Sequence, residues 1–126
     1  MTCPKSKTAF YNISLNQGSS YTLPIVLKDG EGQAIDLTGF TAAMQVRIVP
    51  EAEDYIDELT TENGRITIEA EAGRLELSFP HEVTEQYPAG QFFYDIEIAS
   101  ASDEVTRVLQ GRLLVNAEVT RVSSES

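Results

Sequence analysis

A chain of 126 residues holds about one domain's worth of material, and 41% hydrophobic with 23% charged residues is the balance of a folded chain, not a disordered one. Twenty acidic against nine basic residues leave a net charge of −11, which disfavours nucleic acid and an anionic membrane surface as partners, because both are held by clustered lysine and arginine. No apolar run reaches the ~20 residues that span a bilayer, and no apolar stretch of a signal peptide follows the basic start Met1–Lys7, so synthesis in the cytoplasm is expected.

Cys3 is the sole cysteine, which excludes an internal disulfide and reads as an incidental thiol. Period-two alternation then dominates the chain. Tyr11, Ile13 and Leu15 share one parity, and after Asn16–Ser20 so do Tyr21, Leu23, Ile25 and Leu27. Pro24 cannot donate a ladder hydrogen bond, which assigns that strand to a sheet edge or a bulge. Lys28–Gln33, with Gly30 and Gly32, is a turn. Met44, Val46 and Ile48 mark the next strand, starting at Thr41.

Pro50 to Asn63 reads as a long acidic excursion, carrying Glu51, Glu53, Asp54, Asp57, Glu58 and Glu62. Tyr55 and Leu59, four apart, allow one helical turn in it. Ile66 and Ile68 lead through Ala72-Gly73 into Leu75, Leu77 and Phe79 as a hairpin. Pro80 opens a short helical turn that Pro88-Ala89-Gly90 closes. Phe92, Tyr94, Ile96 and Ile98 form another strand. Val105, Arg107, Leu109, Gly111, Leu113 and Val115 share one parity of the last, which puts Arg107 and Arg112 on opposite faces. Ser123–Ser126 has nothing to bury.

The sum is an all-β chain: an antiparallel, immunoglobulin-like β-sandwich of about seven strands with one short helical turn. It forms a single domain over 1–126, with a core over about 8–121. A small open barrel is the rival architecture.

Little of this resembles an active site. His81 is the one histidine and reads as a surface residue on the helical turn; Cys3 lies too near the terminus to be a preorganised nucleophile. One histidine and one cysteine do not make a zinc site. Asp29-Gly30-Glu31-Gly32 resembles half a calcium loop but lacks the spacing and the terminal glutamate, and the acidic run over 51–58, which could line a weak cation site, reads as a solvated, self-repelling loop. No phosphate-binding glycine motif follows a strand. Hence no catalytic, cofactor or metal residue is assigned, and a non-enzymatic role is expected. Phe92-Phe93-Tyr94 puts aromatic rings on both faces of one strand, so Phe93 is either part of a second buried layer or an intersubunit contact.

One order of motifs stands out. Gln17-Gly18-Ser19-Ser20-Tyr21-Thr22-Leu23 is followed by Leu27-Lys28-Asp29-Gly30 and then by Ile35-Asp36-Leu37-Thr38-Gly39-Phe40. Later come Glu62-Asn63-Gly64-Arg65-Ile66, the Gly73 hairpin, Tyr87-Pro88-Ala89-Gly90-Gln91-Phe92-Phe93-Tyr94-Asp95-Ile96, Val105-Thr106-Arg107 and Gly111. Together, over residues 13–121, they resemble a module of tailed-phage structural proteins, also found as the N-terminal domain of upper-baseplate proteins that attach receptor-binding proteins. The resemblance implies a virion component of tail or head, assembled in the bacterial cytoplasm. Its partners would be other virion proteins and copies of itself in a symmetric array. A carbohydrate- or receptor-binding sandwich is the alternative, with loop tyrosines as its site. The residues 36–39 themselves read as a structural corner: Asp36 and Thr38 bond nearby backbone, Gly39 supplies a positive φ, and Leu37 and Phe40 plug one end of the core.

Overall fold

From Thr41 to Arg47 the side chains of Ala42, Met44 and Val46 are buried while those between them are half-exposed, the signature of a strand with one face on a core. The computed structural model, which describes residues 9–117, places nine strands among them. They are β1 (Ala9–Phe10), β2 (Ile13–Asn16), β3 (Tyr21–Val26), β4 (Thr41–Arg47), β5 (Asp57–Thr60), β6 (Ile66–Glu69), β7 (Arg74–Phe79), β8 (Gly90–Ala99) and β9 (Val105–Asn116). A 3-10 turn, Ala70–Ala72, joins β6 to β7, and one four-residue helix, α1 (His81–Thr84), joins β7 to β8.

Two sheets stack. The larger runs β1-β9-β8-β4-β5, with β2 also on β9, and the smaller runs β3-β7-β6. Met44, Leu59, Leu75, Leu77, Phe79, Ile96 and Leu113, each fully enclosed or nearly so, fill the space between them. The fold is the expected immunoglobulin-like β-sandwich. β3 lies at an edge of the smaller sheet, as Pro24 requires.

Three details depart from the expected strand map. The first strand is broken at Tyr11-Asn12 into β1 and β2, and both pair parallel with β9, so the larger sheet is mixed. The acidic excursion holds no helical turn among the described residues. Its second half is β5, paired with β4, which buries Leu59 and leaves Tyr55 45% exposed. The four-residue spacing of Tyr55 and Leu59 was met by a strand that starts between them. Tyr11, Tyr21, Ile48 and Val105 also sit outward, past the ends of the stretches in which alternation faces the core.

The 36–40 corner is built as expected. Asp36 Oδ1 accepts hydrogen bonds from the Thr38 hydroxyl at 2.7 Å and the Thr38 N–H at 3.0 Å, and these hold the Asp36 carboxyl below the usual carboxylate range. Gly39 takes φ 83°, Leu37 is 1% exposed, and Phe40 packs half-buried beside the core.

A second tie lies where the two sheets meet at β5 and β6. Arg65 pairs with Asp57 at 2.8 Å, donates from Nε to the Ser78 carbonyl at 2.9 Å, and lies over the Phe79 ring. The Tyr87 hydroxyl donates to the same Asp57 carboxylate. Burial first, and the Asp57 hydrogen bond second, push the Tyr87 phenol well above its ordinary range. Each member of this group answers another's charge or donor, so it reads as a clamp between the sheets.

Candidate functional site: an arginine-lined concavity

Three arginines gather in one concavity on the outer face of the larger sheet. Three strands in the middle of that sheet set it up by register. Arg47 on β4 stands opposite Phe93 on β8, and Phe93 opposite Arg112 on β9. The next outward rung is Gln45, Asp95 and Gln110, with Phe10 of β1 beside Gln110. Side chains paired across antiparallel strands share a face, roughly 4.5–5.5 Å apart at Cβ. Inward parity on these strands is mostly apolar; outward parity sets Arg47, Gln45, Asp95, Gln110 and Arg112 around Phe93.

Arg107 joins this face because of a β-bulge. Ile96 pairs with Leu109, but Glu97 pairs with Arg107, so Val108 is an extra residue on β9. One extra residue reverses every facing beyond it. Val105 and Arg107 therefore turn outward, and the expectation that Arg107 and Arg112 lie on opposite faces is corrected: both point to the outer face. Of the two readings of Phe93, the structure removes one. The side chain is half-buried on the outer sheet face, within the concavity, and not part of a second buried layer.

Together these side chains line a concavity of ≈ 590 Å³ that reaches Pro50 at one end. Its lining holds three guanidinium groups, Arg47, Arg107 and Arg112, against one carboxylate, Asp95, in a chain whose net charge is −11. Arg107 is partly answered, its Nε lying 3.3 Å from Asp95 Oδ2. Arg47 donates from Nη2 to the Gln45 side-chain oxygen, while its Nε is enclosed and has no hydrogen-bond partner among the described residues. Arg112 is exposed, and its guanidinium makes no ion pair among the described residues. Such a lining suits an anionic partner, with Phe93 and Phe10 supplying apolar contact.

Gly111 shapes the floor. The carbonyl of Tyr11 lies so close over it that a Cβ there would stand 2.0 Å from the Tyr11 oxygen. The Tyr94 hydroxyl donates to that same carbonyl at 2.7 Å, and Asn12 Oδ1 accepts from the Arg112 N–H at 3.1 Å. The break between β1 and β2 is thus locked onto β9 beside the arginines.

Immediately past Arg47, the connection from β4 to β5 forms a rim of different character. Ile48 is 60% exposed, and Val49, Tyr55 and Ile56 are also exposed large apolar side chains. Glu51, Glu53 and Asp54 lie exposed among them. Farther along, Glu58 accepts from Gln45 Nε2 at 2.9 Å and from the Tyr55 hydroxyl at 3.2 Å, which ties the loop's far end back to the sheet.

His81 is an exposed first residue of α1, 3.7 Å from Glu82. Among the described residues no three histidine, cysteine, aspartate or glutamate side chains gather as metal ligands, the 51–58 run included. No helix among the described residues is long and apolar enough to cross a membrane. Cys3 and Ser123–Ser126 lie outside the described residues. Sequence reasoning had not singled out Arg47, Gln45 or Gln110. The signal available was the polar outward parity of three strands, which becomes a site only once their adjacency and register are known.

No family model matches the chain, and no curated protein matches it. Among solved structures it is similar to CopC from Methylosinus trichosporium OB3b, at 10% identity over 90% of each chain with a TM-score of 0.46. It is also similar to extracellular domains 3–5 of Drosophila OTK, at 12% identity and a TM-score of 0.37, over 88% of this chain but 35% of that one.

Proposed function

We propose that this chain is a non-catalytic structural component of a tailed-phage particle, of tail or head, that acts through protein–protein contacts in a symmetric array. The observation that carries the reading is the outer face of the larger sheet, where an arginine-lined hollow is bordered by exposed apolar side chains. Arginine and aromatic side chains are enriched in contact surfaces, and exposed large apolar side chains beside them mark the same use. The order of motifs over residues 13–121, and the Asp36–Phe40 corner that those motifs build, support placing the contact in a virion. Mass spectrometry of purified particles and of their separated heads and tails tests it. The chain should be found in stoichiometric amount in one fraction, and its absence from intact particles would refute the placement.

A second reading has one observation in its favour: arginines and Phe93 share the hollow, which suits an acidic saccharide on a receptor. Glycan-array binding by the purified domain, lost on changing Arg112 to alanine, would support that reading over the first.

A further inference from the structure

Two neighbouring surfaces of this molecule complement each other. The concavity offers Arg47, Arg107 and Arg112 with a single lining carboxylate, Asp95. The β4–β5 loop beside it offers Glu51, Glu53 and Asp54, exposed, among the exposed apolar side chains Ile48, Val49, Tyr55 and Ile56. We infer that the occupant of the concavity is the β4–β5 loop of a second copy of this chain, so that two copies dock reciprocally across the outer faces of their larger sheets. The inference deepens the assembly reading and rests on it.

Three observations converge on a second copy. The first is charge. In a chain of net charge −11, most surface repels another copy, and the concavity is where that repulsion reverses. An acidic loop entering it replaces like-charge contact by opposite-charge contact, which also fixes the register of the pair. The second is apolar content. A purely ionic loop would be held weakly at an exposed site, but this loop carries aliphatic and aromatic side chains that Phe10, 74% exposed, and half-buried Phe93 can cover. The third is placement. Pro50 lies within the loop and also lines the concavity, so donor and acceptor surfaces sit side by side on one face. A two-fold axis between two copies brings each loop to the other's hollow, the self-complementary geometry of a closed dimer.

The loop's own carboxylates are available for this role. Asp57 is held by Arg65, and Glu58 by Gln45 and Tyr55, whereas Glu51, Glu53 and Asp54 stand exposed. Arg112 is the matching cation that no carboxylate answers among the described residues.

The test is sedimentation of the full chain and of charge-reversed variants, each first checked for its sheet spectrum by circular dichroism. The wild type should self-associate, less at high salt. Glu51→Lys, Glu53→Lys and Asp54→Lys together should weaken association at least about tenfold, and so should Arg107→Glu with Arg112→Glu. The chain bearing both sets should associate again, because the complementarity is then exchanged. Should the arginine variant fail to fold, the loop variant alone decides. A wild type that stays monomeric, or a loop variant that associates as the wild type does, overturns the inference. A monomer that instead binds acidic glycans, and loses them with Arg112→Glu, overturns it in favour of a receptor. Incorporation of the loop variant into particles at normal yield, with the chain confirmed there, defeats the dimer but spares the virion reading. Salt-sensitive dimers of a chain absent from particles do the reverse.

Discussion

Gly111 occupies a point that no side chain can share, since the Tyr11 carbonyl comes within 2.0 Å of where its Cβ would stand. Gly111→Ala must push the β1–β2 break away from β9 and strain the hydrogen bond from Tyr94. We expect a loss of about 1–3 kcal/mol, the usual range for forcing a methyl group into packed structure, measured as a lower midpoint in denaturant. A second expectation concerns alkaline pH. Burial above all, then the hydrogen bond to Asp57 for Tyr87 and the neighbouring Tyr11 for Tyr94, raises both phenols above their ordinary value. A group whose folded pKa is raised lends its stabilisation in full below its unfolded pKa. That stabilisation fades as pH climbs beyond about 10, because the unfolded chain loses its phenol protons first. Melting temperatures should therefore fall through that range, and less steeply with pH in a Tyr87→Phe, Tyr94→Phe double variant.

At the scale of elements, the instructive one is β5. The residues 51–58 read as a solvated acidic loop, and Glu51, Glu53 and Asp54 do lie exposed. Yet Asp57 opens a strand, and its charge is spent on Arg65 and Tyr87. Glu53→Gln with Asp54→Asn should shift stability by no more than about 0.5 kcal/mol, the norm for exposed positions. A large fall in melting temperature would instead reveal a cation held there. Local alternation was enough to read β3, β4, β7 and β8, because there every second residue is apolar over several positions. It was not enough for β5, where Leu59 is the single buried residue of four. Nor could it find the bulge, although the adjacent pair Val108-Leu109 is what an interrupted alternation looks like in a sequence. The arginine cluster was hidden for that reason: counting by twos from Leu109 sends Arg107 inward. The pairing of Glu97 with Arg107 brings it back out.

For the whole molecule, both layers share one apolar interior, and Leu77 and Ile96 stand on opposite sides of it with no exposure at all. Leu77→Asp or Ile96→Asp leaves a lone carboxylate without water or partner, a cost of several kcal/mol and so comparable to the total stability of a small domain. Either variant should lose its sheet signal in circular dichroism. Survival with an unchanged melting temperature would contradict the inward assignment of these strands. The clamp of Asp57, Arg65 and Tyr87 gathers groups from the larger sheet, from the start of β6 and from the segment after α1, so the two layers are tied at one margin as well as through their interior.

The parallel seating of β1 and β2 has a consequence for how the chain reaches this state. Asn12 bonds to Arg112, one hundred positions further along, and Ile13 and Leu15 gain their sheet partners only from Leu113 and Val115. During translation the opening strand must wait, unpaired, until nearly everything else described has left the ribosome. Closing so long a loop is entropically unfavourable before it is rewarded, which places this step late and makes the overall rate slow for a chain of this size.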